Sequence, residues 1–175
     1  MQAIAHQTLN KAEDQEAVAA FGQRLGALAS ANDVLTRDNW SSASLGDVAR
    51  GALATFGGDR FVFSGPDVTI GPRATLALTL MLHELATNAA KYGALSSPGG
   101  TVSVTWKIRR HDDKDALDLT WVERGGPPAV EPTRRGFGSR IIRMGLSGSG
   151  GVELSYETEG LMMRATAPLH QIQEA

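Results

Sequence analysis

The chain has 175 residues and a mass of 18.5 kDa, with 42% apolar and 21% charged residues; this is globular composition in one domain, or one domain plus a small appendage, and excludes a disordered or fibrous chain. Seventeen basic against nineteen acidic residues give a net charge of -2, so no basic excess marks the chain for nucleic acid or an anionic membrane. Cysteine is absent, which excludes disulfides and thiolate chemistry; no apolar run suits a membrane helix, and MQAIAHQTLNKAEDQ lacks a signal peptide's basic start, so a cytoplasmic location is expected.

Glycine divides the chain. Residues 1–56 hold Gly22, Gly26, Gly46 and Gly51 and read as helix, whereas those from Gly57 onward cluster between apolar stretches. Val18, Phe21, Leu25, Leu28 and Ala29 recur at helical spacing over residues 13–31, and Ala3, Ile4 and Leu9 begin a similar pattern. Two antiparallel helices joined around Asn10–Asp14 would bury these stripes against each other. A short helix is predicted over 45–55, with Ser44 as its cap and Leu45, Val48, Ala49 and Leu53 on one face. Arg60–Ser64 and Val68–Ile70 read as strands flanking the turn Gly65-Pro66-Asp67, and Pro72 opens a helix running to about Tyr92. TVSVTWKI over Thr101–Ile108 and ALDLTWV over Ala116–Val122 read as antiparallel strands. A proline-bearing loop, Gly125–Arg135, precedes a helix over Gly138–Met144, and Val152–Thr158 with Leu161–Ala167 form a closing hairpin. The fold class implied is α+β: a mixed, mostly antiparallel sheet with helices on one face, preceded by a helical hairpin.

The helix carrying HELATNAAKY holds the chemistry. At about 100° per residue, Asn88, Lys91 and Tyr92 project near Glu84, while Leu78, Leu82, Leu85, Ala86 and Ala89 form an apolar stripe beside them. An amide oxygen between a carboxylate and an ammonium suits a magnesium–phosphate site, because Mg²⁺ keeps waters and phosphate oxygens and needs few protein ligands. An amphipathic helix with a solvated polar face would look the same. Downstream, WVERGGPP ends a strand with Glu123 followed by Gly125 and Gly126, where backbone turns or approaches a ligand closely. RRGFGSR opens a helix with Gly136 and Gly138, whose N–H groups could face an anion beside Arg134, Arg135 and Arg140. An ordinary loop and an ordinary helix start remain open for these two clusters. The spacing does not match a Walker-type loop.

In this order HELATNAAKYGALS, WVERGGPP and GFGSRII resemble the ATP-binding catalytic domain of histidine kinases, the Bergerat fold of the GHKL superfamily. His83 before Glu84, together with Trp121 and Glu123, resembles the HWE family of sensor histidine kinases. The likeness covers nearly the whole chain and implies a two-layer α/β sandwich over residues 41–175. Residues 1–40 would then be the remnant of the dimerisation and histidine-phosphotransfer helices.

The resemblance implies that Asn88 coordinates Mg²⁺ and that Glu84 orients or deprotonates the attacking imidazole. Lys91 would neutralise phosphate charge, with Tyr92 near the nucleotide. Glu123 would accept a hydrogen bond from the adenine amino group, and Gly125 and Gly126 would let backbone fit beneath the base. Gly136 and Gly138 would line the phosphates, assisted by Arg140. His83 points away from Glu84 and Asn88 on the wheel and is assigned a positioning role; Trp121, on a strand with Leu119 and Val122, is assigned to the core.

The implied reaction transfers the γ-phosphoryl group of ATP to a histidine, for relay to a response-regulator receiver domain. An H-R-x-K-N acceptor box is absent from the 175 residues, so the chain alone is expected not to autophosphorylate at the usual site. Asn32 stands where relatives would have His, and Gly160-Leu161 where many GHKL domains have Gly-Thr near adenine. The N-terminal helices could pair within one hairpin or build a homodimer. Two other readings are an anti-sigma-type serine kinase of the same superfamily and a non-catalytic scaffold that keeps the fold.

Overall fold

The computed structural model describes residues 42–111, 114–133, 136–148 and 150–174, together with Gly22 and Gly26. Those two glycines are helical; the rest of the predicted N-terminal hairpin lies outside the described residues, as do Arg134 and Arg135.

From Ala43 the elements run β1 (Ala43–Ser44), α1 (Leu45–Leu53), β2 (Phe61–Ser64), β3 (Thr69–Ile70), α2 (Pro72–Tyr92), β4 (Thr101–His111) and β5 (Lys114–Arg124). They continue with α3 (Phe137–Met144), β6 (Val152–Glu157), β7 (Gly160–Pro168) and α4 (Leu169–Gln173). Strands β2-β4-β5-β7-β6 form a five-stranded sheet in that order, with β2 parallel to β4 and every other pair antiparallel. The mixed, mostly antiparallel sheet predicted from the sequence is therefore present. β2 and β3 flank the Gly65-Pro66-Asp67 turn as expected, but they do not pair with each other. β3 instead pairs with β1 in a separate two-stranded ribbon. The turn is pinned from below by Trp106, whose indole N–H donates to the Pro66 carbonyl at 2.8 Å.

Helix α2 occupies its predicted span, Pro72–Tyr92. Proline suits the first helical position because its missing N–H would have no partner there, and its φ is already helical. The helix lies between α1 and α3, and Leu78, Met81, Leu82, Leu85, Ala86 and Ala89 are fully buried on it. The stripe meets the covered sheet face: Val102 and Val104 of β4, Leu117, Leu119 and Trp121 of β5, and Met163, Ala165 and Ala167 of β7. Alternation along β4, β5 and β7 produces that face, since successive side chains point to opposite sides.

On the opposite face Asp118 of β5 joins its neighbours, receiving the Thr166 hydroxyl at 2.9 Å and pairing with Arg109 Nε at 2.9 Å. Ser44 stands at the N-cap of α1 as predicted, but its side chain makes no capping hydrogen bond. The sequence reading did not include α4. It folds back so that the Gly71 N–H, just before α2, donates to the Ile172 carbonyl at 2.8 Å. No helix among the described residues is long and apolar enough to cross a membrane.

Candidate functional site

The polar residues of α2 are graded in burial along the helix. Glu84 is 6% exposed, Asn88 one turn later is half-buried, and Lys91 and Tyr92 in the last turn are exposed, Tyr92 by 69%. A lysine near the C-terminus also meets the negative end of the helix dipole favourably. His83 lies on another side of the helix, where its ring meets Phe56 edge-on at a centroid distance of 5.3 Å. That contact ties α2 to the turn after α1.

Glu123 ends the covered face of β5, and its carboxylate is held at both oxygens. Oε2 accepts the Ala94 N–H at 2.8 Å, and Oε1 accepts the Trp121 indole N–H at 3.1 Å. Trp121 and Glu123 lie two residues apart on one strand, so their side chains share a face. Trp121 is thus a core residue, as expected, and also the donor that fixes Glu123. With only 1% of Glu123 exposed, desolvation raises its pKa above the ordinary 4.5, against the lowering effect of the Ala94 and Trp121 hydrogen bonds.

The Ala94 amide belongs to the segment 93–100 that leaves α2. A Cβ at Gly93 would displace the Glu123 carboxylate from its place beside the Ala94 amide, since it would overlap Oε2. Gly126 approaches the same segment from the other side, where a Cβ would lie 2.5 Å from the Ala94 Cα. Gly126 thus packs directly on the chain's own Gly93–Ala94 backbone. Gly125 enters this junction with a φ of 74° and faces the Gly99–Gly100 backbone.

Glu84 and Asn88 therefore share one helix; Glu123 and Gly126 are joined to that helix's end through Gly93 and Ala94, and Gly125 through Gly99 and Gly100. Gly136, Gly138 and Arg140 are presented separately at the start of α3, which packs beside α2. Gly136 is the N-cap residue there, with its carbonyl accepting the Ser139 hydroxyl at 2.7 Å. Gly138 is half-buried and Arg140 exposed. The sequence reading missed Gly93 and the Ala94 amide. A glycine directly after the helix was the available signal for the first, whereas nothing marks a backbone amide.

Comparison with known proteins fits this layout. The histidine kinase domain of the blue-light activated histidine kinase EL346 from Erythrobacter litoralis superposes with a TM-score of 0.65 at 20% identity, covering 98% of this chain and 82% of that one. The catalytic domain of histidine kinase ThkA gives a TM-score of 0.51 at 16% identity, over 73% of this chain and 94% of that one. These likenesses show the fold: an α+β domain with a helix layer over a mixed, mostly antiparallel sheet, shared with histidine kinase catalytic domains. The HWE histidine kinase family model matches residues 1–67. A blue-light-activated histidine kinase of Brucella anthropi is 40% identical over 97% of this chain, and its counterpart in Brucella ovis is 37% identical over the same share. The chain is thus similar to the HWE histidine kinase family over residues 1–67 and to these two kinases over nearly its whole length. It spans 36% of the length of each of these two relatives.

Proposed function

We propose that the chain is the ATP-binding catalytic region of a sensor histidine kinase, which moves the γ-phosphoryl group of ATP to a histidine imidazole for relay to a response-regulator aspartate. The observation that carries this reading is the grading along α2: a buried Glu84, a half-buried Asn88 one turn on, and the helix end tied to Glu123 through Ala94. Bound MgATP would supply the phosphoryl group and the cation that screens its charge.

The residues suit that ligand. A magnesium ion on phosphates needs only one or two protein oxygens, and the Asn88 amide offers one at a position between core and solvent. Lys91 would add positive charge to the phosphates. Gly136 and Gly138 would present N–H groups at the start of α3, with Arg140 alongside. Glu123 uses one lone-pair site on each oxygen for Ala94 and Trp121, which leaves acceptor capacity for a base amino group. Glu84 would hold the imidazole and take its proton as the ring nitrogen bonds to phosphorus and the bond to the leaving ADP oxygen breaks. Such catalysis rests mainly on positioning and charge compensation.

Within this proposal residues 1–40 belong to the dimerisation and histidine-phosphotransfer part and 41–175 are the catalytic unit, with a second copy of the chain and a receiver domain as partners. The test uses the 175-residue chain, radiolabelled ATP and a separate helical hairpin bearing the family's histidine box. Label should pass to the hairpin in an acid-labile form, and Glu84→Ala should abolish transfer while ATP binding persists. Transfer at the wild-type rate by Glu84→Ala would refute the assignment of the base, and an acid-stable product would favour a serine kinase.

A further inference from the structure

Arg60, immediately before β2, is absent from every functional motif in the sequence, yet it makes the densest set of side-chain hydrogen bonds described in this structure. Its Nε donates to the Gly100 carbonyl at 2.9 Å and its Nη1 to Leu95 at 3.1 Å. Its Nη2 donates to Ala94 at 3.1 Å and to Ser97 at 2.6 Å. Four of the five N–H donors of a guanidinium are thereby spent on one backbone segment, 34 to 40 residues away in the chain.

That segment, 93–100, is also the one whose Ala94 N–H donates to Glu123. It also forms the surface on which Gly125 and Gly126 pack. Beyond a single 3₁₀ turn over Ala94–Ser96, this stretch is rich in glycine and serine and has little stiffness of its own. Here its amide is held by a carboxylate and its carbonyls by a planar cation.

We propose that Arg60 is a positioning residue for the nucleotide site: it fixes segment 93–100, and with it the end of α2 and the Gly125–Gly126 junction, without itself touching the nucleotide. This rests on the nucleotide-site reading of α2 and Glu123. The fork geometry is essential to it, because a lysine ammonium is a single point of charge and cannot span four carbonyls.

The test measures ATP affinity by calorimetry in the 175-residue chain, in Arg60→Ala, in Arg60→Lys and in Asp118→Asn, with thermal unfolding of each. Asp118→Asn is the control for general destabilisation, since it weakens the Arg109–Asp118–Thr166 cluster on the uncovered sheet face. Arg60→Ala should bind ATP about tenfold more weakly, the scale of ordering a few side chains and their loop at a binding site. Asp118→Asn should keep wild-type affinity at temperatures where it is folded, and Arg60→Lys should recover only part of the loss. If Arg60→Ala does not fold, Arg60→Lys decides the matter through the same weakening. Wild-type affinity in either folded Arg60 variant would overturn the proposal alone. A wild-type chain that binds no ATP would remove the site reading and the proposal together.

Discussion

Trp121 and Glu123 sit side by side on the covered face of β5, and their hydrogen bond gives a physical reason for the tryptophan–acid pair in this sequence. A buried indole N–H needs an acceptor, and a buried carboxylate needs donors; each meets the other's requirement, and Ala94 supplies the second donor. Burial nevertheless outweighs those bonds and raises the Glu123 pKa. An acid whose folded pKa exceeds its unfolded value binds more protons when folded, so it withdraws stability as pH rises through the interval between the two. Relative to Glu123→Gln, the wild-type chain should therefore lose stability as pH rises from about 4.5 toward the raised value. Denaturant unfolding of both proteins across that range would measure the difference. A wild-type advantage that grew with pH would mean that the two donors outweigh desolvation.

At the scale of elements, α2 combines a buried stripe with a polar edge, and the two should respond differently to substitution. Leu85 is fully buried against the sheet, so Leu85→Ala should lower stability by about 2–5 kcal/mol through lost contacts and the cavity left behind. Tyr92, 69% exposed at the helix end, should change stability by less than about 0.5 kcal/mol when replaced by Ala. Denaturant melts of the two variants check both figures. This helix was legible in the sequence because its signals are local: Pro72 at the first turn and apolar residues at helical spacing. Strands β4 and β5 were legible for the same reason, through strict alternation. The pairing of β2 with β4 was not, because a four-residue strand carries no record of its neighbour, and the turn after it resembles that of a hairpin. Helix α4 escaped notice because LHQIQ is too short for periodicity; Ile172, 1% exposed, is what anchors it. The polar residues of α2 could be read as a group, whereas Arg60 could not, since its partners are backbone carbonyls brought near only by the fold.

In the whole molecule the sheet works as a platform with two unlike faces. One carries α1, α2 and α3 and a single apolar cluster; the other is held by polar contacts such as that of Asp118 with Arg109 and Thr166. The candidate site lies at one end of the covered face, where β5, the exit of α2 and the loop after β5 meet. Its rigid parts come from three separated stretches of sequence: Arg60, the α2 exit at 93–100, and Trp121 to Gly126. The central claim is that this junction and the polar edge of α2 together bind a magnesium nucleotide. Calorimetric titration of ATP into the chain, with and without Mg²⁺ and beside Asn88→Ala, tests it most directly. Binding should strengthen with Mg²⁺ and lose this magnesium dependence in Asn88→Ala. Absence of binding under either condition, or an unchanged magnesium response in Asn88→Ala, would contradict it.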